Sequence, residues 1–280
     1  MTASSTFASA SAVSAWHERY GELSSPPASV NPVIDHLLQH CSVRSYDAKK
    51  EVSDDDLRLA IAAAQSASTS SNLQVWSVVA VRDQAKRDRF AEYAGGQRHI
   101  SEAPLFLAWV LDLSRLRRLG DSLGIPAQAT DYLELYTVGA VDVALAAQNA
   151  ATALESCGMG IVYIGGMRNH PEEVAKALNL PEGSMVLFGM CVGYPDPNVP
   201  TDIKPRLPQS TVLHFEEYAA TTEADDIHNY DERIVDYQMK QGRGNKTWSQ
   251  AATVRVRGPE SLTGRHRLRE ALANLGIEAR

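Results

Sequence analysis

Five short segments of the sequence combine residues suited to a phosphate with residues suited to a flat ring. Some carry cations and hydroxyl groups, which together with backbone N–H groups are what a bound phosphate needs. Others carry paired glycines, whose missing Cβ lets the backbone approach a ligand closely. Each segment alone is weak evidence, because a Lys-Pro-Arg triplet or a serine run is more often a solvated loop. The segments are residues 40–44 (HCSVR), 66–74 (SASTSSNLQ), 95–99 (GGQRH), 162–169 (VYIGGMRN) and 202–208 (DIKPRLP).

Other kinds of chemistry lack their signatures in this sequence. Residues 158–160 (GMG) are the closest approach to a dinucleotide fingerprint, but they follow a predicted helix and the third glycine is missing. No phosphate-binding GxxxxGK[ST] occurs, and we predict no nucleophile elbow, although residues 120–124 (GDSLG) have the GxSxG spacing. His36 and His40 have the spacing of a helical metal pair, yet no third ligand is evident, so we predict surface histidines and no metal site.

Composition narrows the class of protein further. The 280 residues are 44% hydrophobic and 22% charged with a net charge of −7, which is typical of a soluble globular protein. The acidic balance argues against nucleic acid and against an anionic membrane surface as partners. Cys41, Cys157 and Cys191 are far apart and predict no disulfide framework, and we expect Cys157 and Cys191 to be inert core residues. The Ala- and Ser-rich start lacks a signal-peptide pattern, so we expect a cytoplasmic protein.

Helical and strand patterns alternate along the chain, and the strands are far apart in sequence. The pattern predicts an α+β fold with a mainly antiparallel central sheet flanked by helices. Residues 132–156 are apolar nearly all round, which is typical of a helix buried on most sides, at the centre of the fold or of a dimer. Helices are predicted at 12–23, 31–39, 53–65, 83–93, 132–156, 171–178, 229–240 and 265–275, and strands at 75–81, 105–111, 161–164 and 186–192.

The first thirty residues are predicted to be an appendage. A short helix there is broken by residues 24–27 (SSPP), and Asn31 with Pro32 then starts the next helix. We therefore expect two parts: residues 1–30 as an N-terminal extension whose flexibility is left open, and residues 31–280 as the functional domain. Deleting residues 1–30 is expected to leave activity intact.

Taken together and in this order, the five segments resemble the NADPH-dependent nitroreductase and flavin reductase group, which binds FMN. That group shows H-R-S-[IV]-R, a serine loop ending in L-Q, then G-G-Q, Y-I-G-G-x-R-N and K-P-R-L-P. The resemblance covers residues 31–280 and becomes loose beyond about residue 242. It implies a nitroreductase-like fold, a domain-swapped-style homodimer, FMN as cofactor, and NADPH as electron donor with NADH as a further possibility.

The resemblance also assigns roles to residues. His40, Ser42, Lys204 and Arg206 would bind the FMN phosphate, and Arg44 would stand beside the N1–O2 edge of the isoalloxazine. The main chain at Gly165 and Gly166 would approach N5 and O4, Gln97 would bond the pyrimidine edge, and Ser68 and Ser70 would line the ribityl side. The full implied set is His40, Cys41, Ser42, Arg44, Ser68, Ser70, Gln74, Gln97, Tyr163, Ile164, Gly165, Gly166, Lys204 and Arg206. Since FMN carries the hydride chemistry, no side chain is predicted to be catalytic.

Two departures from the family pattern bear on binding. Cys41 stands where the family usually has arginine, and a thiol supplies neither charge nor a fork of donors. The basic loop that the family uses for the NADPH 2′-phosphate is about two residues shorter here, before Thr247 and Trp248. The remaining candidates in that loop are Lys240, Arg243 and Lys246.

Three functions stay open at this point. The first is a nitroreductase or quinone reductase that passes electrons from NADPH through FMN by a ping-pong route. The second is a flavin reductase that supplies reduced FMN to another enzyme. The third is a flavin-binding protein without turnover, to which Cys41 lends slight support. Partners are then small electron acceptors, namely nitroaromatics, quinones or free flavin.

Overall fold

The chain forms two compact units in the computed structural model, which describes residues 9–22 and 24–280. One unit comprises Met1–Cys41 and Thr201–Leu262, and the other comprises Ser42–Pro200 and Thr263–Arg280. The helices are α1 (Ala10–Tyr20), α2 (Pro32–Leu38), α3 (Asp54–Gln65), α4 (Gln84–Tyr93), α5 (Arg98–Glu102), α6 (Ser114–Leu123), α7 (Leu133–Ser156), α8 (Pro171–Ala177), α9 (Glu223–Lys240), α10 (Trp248–Val256) and α11 (Leu268–Asn274). The strands are β1 (Trp76–Val81), β2 (Leu105–Asp112), β3 (Gly160–Ile164) and β4 (Ser184–Gly193).

The larger unit is built on an antiparallel sheet in the order β1-β2-β4-β3. Every residue of β2 is buried, which accounts for its unbroken apolar sequence. One of its faces packs in a cluster with α7, while Phe106 on its other face lies 5.4 Å from the Phe90 ring of α4. The sheet is therefore covered by helices on both faces, and the predicted α+β fold with an antiparallel sheet is confirmed.

Local start signals place several helices where the sequence predicts them. Asn31, Ser53 and Asp83 each accept a hydrogen bond from a backbone N–H in the first turn of α2, α3 and α4 respectively. Such caps satisfy N–H groups that have no partner inside the helix. The predicted bounds of these three helices agree with the observed ones to within a residue or two.

The central helix α7 is less enclosed than the sequence predicts. One face is buried, from Gly139 to Leu154, but Val141 and Leu145 on another face are 51% and 43% exposed. A Cβ at Gly139 would lie 2.8 Å from Leu111 Cγ, so glycine is needed there for the close approach of α7 to β2. Cys157, expected in the core, is exposed because it follows the last turn of this helix, whereas Cys191 is buried as expected.

The smaller unit is helical in its described residues. It contains α1, α2, α9 and α10, and the pairs α1–α2 and α9–α10 pack together. The helix predicted at residues 12–23 is observed at Ala10–Tyr20, while Leu23 and residues 1–8 lie outside the described residues. Of the helices that the structure describes, none combines the length and apolar character needed to cross a membrane.

Candidate functional site

Residues 42–46 are fixed against the start of β3 in the larger unit. Val43 N–H donates to the carbonyl of Ile161 at 2.9 Å, and the hydroxyl of Tyr46 donates to the carbonyl of Val43 at 2.8 Å. Gly160 makes this possible, because a Cβ there would lie 2.3 Å from Val43 Cγ2. With Val43 buried, the flanking Ser42 and Arg44 are exposed beside the strand that leads to the paired glycines.

The glycine pair after β3 packs against the residues that lead into the other glycine-rich segment. Residues 165–169 form a single turn after β3, and a Cβ at Gly166 would lie 2.8 Å from Ala94 Cβ and 2.9 Å from Ala94 Cα. Asn169 Nδ2 donates to the carbonyl of Tyr93 at 3.2 Å, and Gln97 Nε2 donates to the carbonyl of Ala94 at 2.8 Å. The structure thus brings Gln97 and Gly166 to one place, although they are far apart in sequence.

Arg44 also belongs to this neighbourhood. Burial, and then the positive charge of Arg44, hold the pKa of His99 below its ordinary value. Since His99 lies two residues after Gln97, the first and third candidate segments are electrostatically coupled. His99 is therefore harder to protonate than an ordinary histidine, whereas Arg44 carries a permanent positive charge.

The serine loop is held in an unusual conformation. Ser71, Asn72 and Gln74 have φ values of 49°, 54° and 51°, in the left-handed region that side-chain-bearing residues rarely adopt. Such backbone persists only where the surroundings hold it in place, and it is frequent in ligand-binding loops. Ser68, Ser70 and Gln74 are all exposed on this loop.

Asp142 on α7 is one of the groups that hold the loop, and the sequence analysis missed it. Its Oδ1 accepts the backbone N–H of Ser70 at 3.0 Å, and its side chain is almost completely buried. A lone carboxylate within an apolar helix was the available signal, because such a group is rarely buried without a hydrogen-bonding role.

Tyr163 and Ile164 end β3 with opposite orientations. Ile164 is buried and Tyr163 is partly exposed, as alternation along a strand requires. The Tyr163 hydroxyl lies 3.3 Å from Gln148 Oε1, and burial raises the pKa of this phenol. Any contact of Ile164 with a ligand must therefore be through its main chain.

In the smaller unit, the Lys-Pro-Arg triplet is anchored at its centre. Pro205 is buried and its carbonyl accepts the Tyr230 hydroxyl at 3.2 Å, while Lys204 and Arg206 are exposed. Arg206 Nη1 donates to the carbonyls of Lys204 and Pro205, each at 3.2 Å. His40 and Cys41, both partly buried, follow α2 in the same unit.

The basic loop after α9 presents exposed cations. Arg243 N–H donates to the carbonyl of Gln238 at 2.9 Å, and Gln238 Nε2 donates to the carbonyl of Lys246 at 2.9 Å. Within residues 9–22 and 24–280, neither Arg243 nor Lys246 forms a salt bridge. Lys240, the last residue of α9, is exposed as well, whereas the amide of Gln241 donates to Asp202.

Two family models match this chain over most of its length. The model of the nitroreductase family matches residues 37–194, and the model of the nitroreductase family C-terminal domain matches residues 204–280. The chain belongs to the nitroreductase family. The resemblance inferred from the five segments is confirmed, and every candidate residue named above lies within the matched ranges.

Individual relatives agree with the family assignment. The chain is 40% identical over 231 residues to the NADPH-flavin oxidoreductase of Vibrio harveyi, covering 82% of this chain and 92% of the relative. It is 37% identical over 222 residues to the oxygen-insensitive NADPH nitroreductase of Salmonella typhimurium, covering 79% and 89%. The solved structure of the NADPH:FMN oxidoreductase from Vibrio harveyi complexed with NAD+ superposes with a TM-score of 0.79 at 38% identity, over 89% of this chain and all of that one.

Proposed function

We propose that this nitroreductase-family protein oxidises NAD(P)H through bound FMN and passes the electrons to nitroaromatics or quinones. The observation that carries the proposal is the packing of Gly166 against Ala94 in the larger unit, with Gln97 bonded to the Ala94 carbonyl and Arg44 near enough to lower the pKa of His99. These residues supply a cation, an amide and a close backbone approach, which are the groups that the edge of an isoalloxazine needs.

The residues present fit FMN on the ring side. The three atoms nearest to a Cβ at Gly165 would be guanidinium nitrogens, the closest being Arg168 Nη2 at 3.5 Å, which is ordinary van der Waals contact and leaves room beside this residue. Gln97 and the main chain of Tyr163 to Gly166 then bond the pyrimidine part of the ring. Ser68, Ser70 and Gln74 lie on an exposed, conformationally fixed loop and line the ribityl side.

The residues of the smaller unit suit the phosphate end. Lys204 and Arg206 are exposed cations on an anchored backbone, and His40 follows α2. Charge-assisted hydrogen bonds to phosphate are each worth about 1.5–3 kcal/mol. We assign the phosphate to these three residues, and Cys41 to a filling role with contact through its main chain.

Bound FMN supplies the redox chemistry, accepting hydride from NAD(P)H and returning two electrons to an acceptor. The protein binds and orients the partners and sets the local charge. A fixed positive charge at Arg44 favours negative charge on the pyrimidine edge. No general acid or base is assigned, since the transfer itself needs none.

A flavin reductase role is the second candidate, because the relative from Vibrio harveyi is named an NADPH-flavin oxidoreductase. Stopped-flow mixing with NADPH under anaerobic conditions should bleach the flavin absorbance. A second mix with nitrofurazone or free FMN should then restore it, and the faster acceptor identifies the role. A protein that does not take up FMN, or whose flavin stays oxidised with NADPH and NADH, would contradict the proposal.

NADPH is the expected donor, with a reduced preference over NADH. The motivation is the exposed basic loop with Lys240, Arg243 and Lys246, which can approach a 2′-phosphate. An exposed contact contributes about 1 kcal/mol, so the Arg243→Ala variant should lose roughly fivefold in the NADPH-to-NADH ratio of kcat/KM. A wild-type preference for NADH, or an unchanged ratio in the variant, would remove Arg243 from the donor site.

The protein is also proposed to be a homodimer. Val141 and Leu145 on α7 leave an apolar face exposed in the single chain, as do Val33 and Leu37 on α2. Apolar faces of this kind are typical of obligate interfaces. Light scattering should give about twice the chain mass of 30.5 kDa; the mass of one chain would contradict the proposal.

The proposed location is the cytoplasm. Cys41, Cys157 and Cys191 are all free thiols, which suits a reducing compartment. Cell fractionation that recovers the protein outside the cytoplasmic fraction would contradict this.

A further inference from the structure

Arg19 on α1 is a buried cation that contacts two of the segments assigned to the FMN phosphate. Its side chain is only 6% exposed. Its Nε donates to the carbonyl of Leu38 at 3.1 Å, and its Nη2 donates to the carbonyl of His40 at 2.9 Å. Its own carbonyl accepts the backbone N–H of Arg206 at 2.9 Å. One residue therefore bonds the main chain at both His40 and Arg206.

The helix that carries Arg19 is itself anchored within the smaller unit. Ser9 Oγ donates to Asp35 Oδ2 at 2.6 Å, which ties the start of α1 to α2. Arg233 Nη2 on α9 donates to the carbonyl of Glu18 at 3.2 Å, which holds its last turn. These contacts hold α1 at both ends, so the Arg19 side chain is fixed relative to the carbonyls of Leu38 and His40.

We propose that Arg19 is a positioning residue for the FMN phosphate, holding the His40 and Arg206 segments in register. The inference rests on the proposed assignment of His40 and Arg206 to that phosphate. Arg19 precedes residue 37, where the family model begins, so the family match does not cover it. The extension would then serve the cofactor site directly.

Arginine suits this position for a physical reason. Its planar guanidinium presents several N–H donors in a fixed fork and stays charged when buried, so it can satisfy two carbonyls at once. A smaller or apolar side chain would leave the partly buried carbonyls of Leu38 and His40 without these donors, which costs free energy unless other groups or water replace them. The backbone before Ser42 would shift, and the phosphate ligands with it.

The test compares FMN with riboflavin, which has the same ring and lacks the phosphate. The Arg19→Met variant should bind FMN roughly tenfold more weakly, as expected for one lost charged hydrogen bond, and riboflavin as the wild type does. Arg19→Lys keeps the charge but has fewer donors, so its FMN affinity should lie between those of the wild type and Arg19→Met. Affinities come from flavin fluorescence quenching on the full-length apoprotein.

A matched control separates positioning from general loss of stability. Arg117 is a partly buried arginine of the larger unit whose Nη1 donates to the carbonyl of Gly276 at 2.7 Å. Arg117→Met should lower Tm and leave the FMN-to-riboflavin affinity ratio at its wild-type value. Hydrogen exchange of the apoproteins adds a readout without cofactor. A peptide covering residues 38–41 should exchange faster in Arg19→Lys and Arg19→Met, whereas residues 204–207, bonded to the main-chain carbonyl of residue 19, and β2 should not change.

The outcomes distinguish this inference from the function on which it rests. If Arg206→Ala loses the preference for FMN and both Arg19 variants keep it, Arg19 is not a positioning residue and the phosphate assignment stands. If Arg206→Ala also keeps the preference, the phosphate assignment itself is wrong. If Arg19→Met does not fold, the FMN-to-riboflavin affinity ratio of Arg19→Lys decides whether Arg19 is a positioning residue. Removing residues 1–30 should now cost the same phosphate preference, contrary to the expectation from the sequence.

Discussion

Replacing Arg206 with alanine should weaken FMN binding by roughly 10- to 150-fold, the equivalent of about 1.5–3 kcal/mol for a charge-assisted bond to phosphate. Riboflavin binding should not change, because it has no phosphate. The substitution removes the guanidinium bonds to the carbonyls of Lys204 and Pro205. Two other bonds to this backbone remain, from the Tyr230 hydroxyl to the carbonyl of Pro205 and from the Arg206 N–H to the carbonyl of Arg19. We therefore expect the loop to stay in place while a phosphate ligand is lost.

Two further variants make the Arg206 experiment specific. Arg206→Lys keeps a charge but not the planar fork, so its FMN affinity should lie between those of Arg206→Ala and the wild type. Arg58 on α3 serves as the matched control, because its side chain is 81% exposed and it is not among the site residues. Arg58→Ala should bind FMN as the wild type does. Equal affinities for the Arg206→Ala and Arg58→Ala variants would contradict the phosphate assignment.

The helices that could be predicted are those with local signals in the sequence. Asn31, Ser53 and Asp83 are good capping residues, and each caps a helix in the structure. Helix α6 was not predicted, because Leu113 stands at its cap position and makes no side-chain cap bond. Helix α10 does carry a local signal, because Thr247 and Gln250 have the spacing of a capping box and form one in the structure.

In the candidate site, too, the sequence predicts what depends on short motifs and does not predict contacts between distant parts of the chain. The family motifs identify Arg44, Gln97 and Gly166 as candidate flavin ligands, since each motif is local and easily recognised, and these assignments stay predictions. The bonds from Asp142 to Ser70 and from Arg19 to His40 join distant parts of the chain. These pairings depend on tertiary packing and leave no periodicity or spacing in the sequence. A single sequence can therefore mark Asp142 as unusual within an apolar helix, but it cannot predict which residue Asp142 or Arg19 bonds.

The paired glycines after β3 should respond differently to the same substitution. A Cβ at Gly166 would lie 2.8 to 3.0 Å from three atoms of Ala94, two of them backbone atoms that cannot move aside cheaply. Gly166→Ala should therefore destabilise the apoprotein by about 1–3 kcal/mol, as overpacking does. At roughly 2–4 °C per kcal/mol, Tm should fall by several degrees. FMN affinity should fall too, because the displaced Ala94 leads into Gln97.

At Gly165 the protein offers room for a methyl group. The nearest atoms to a Cβ would be Arg168 Nη2 at 3.5 Å and Arg265 Nη1 at 3.8 Å, both ends of flexible side chains. Gly165→Ala should thus leave the Tm of the apoprotein unchanged. If the flavin ring lies against this residue, the added methyl group should still weaken FMN and riboflavin alike by about 5- to 150-fold, from an overpacking cost of about 1–3 kcal/mol.

Calorimetry of the apoproteins and flavin titration of both variants test the pair together. A lower Tm in Gly166→Ala only, together with weaker flavin binding in both variants, would support an isoalloxazine-binding site at this turn. Wild-type flavin affinity in Gly165→Ala would mean that the ring does not approach its backbone. The proposed position of the isoalloxazine would then have to move away from this turn, while the steric argument for Gly166 would stand on the Tm measurement.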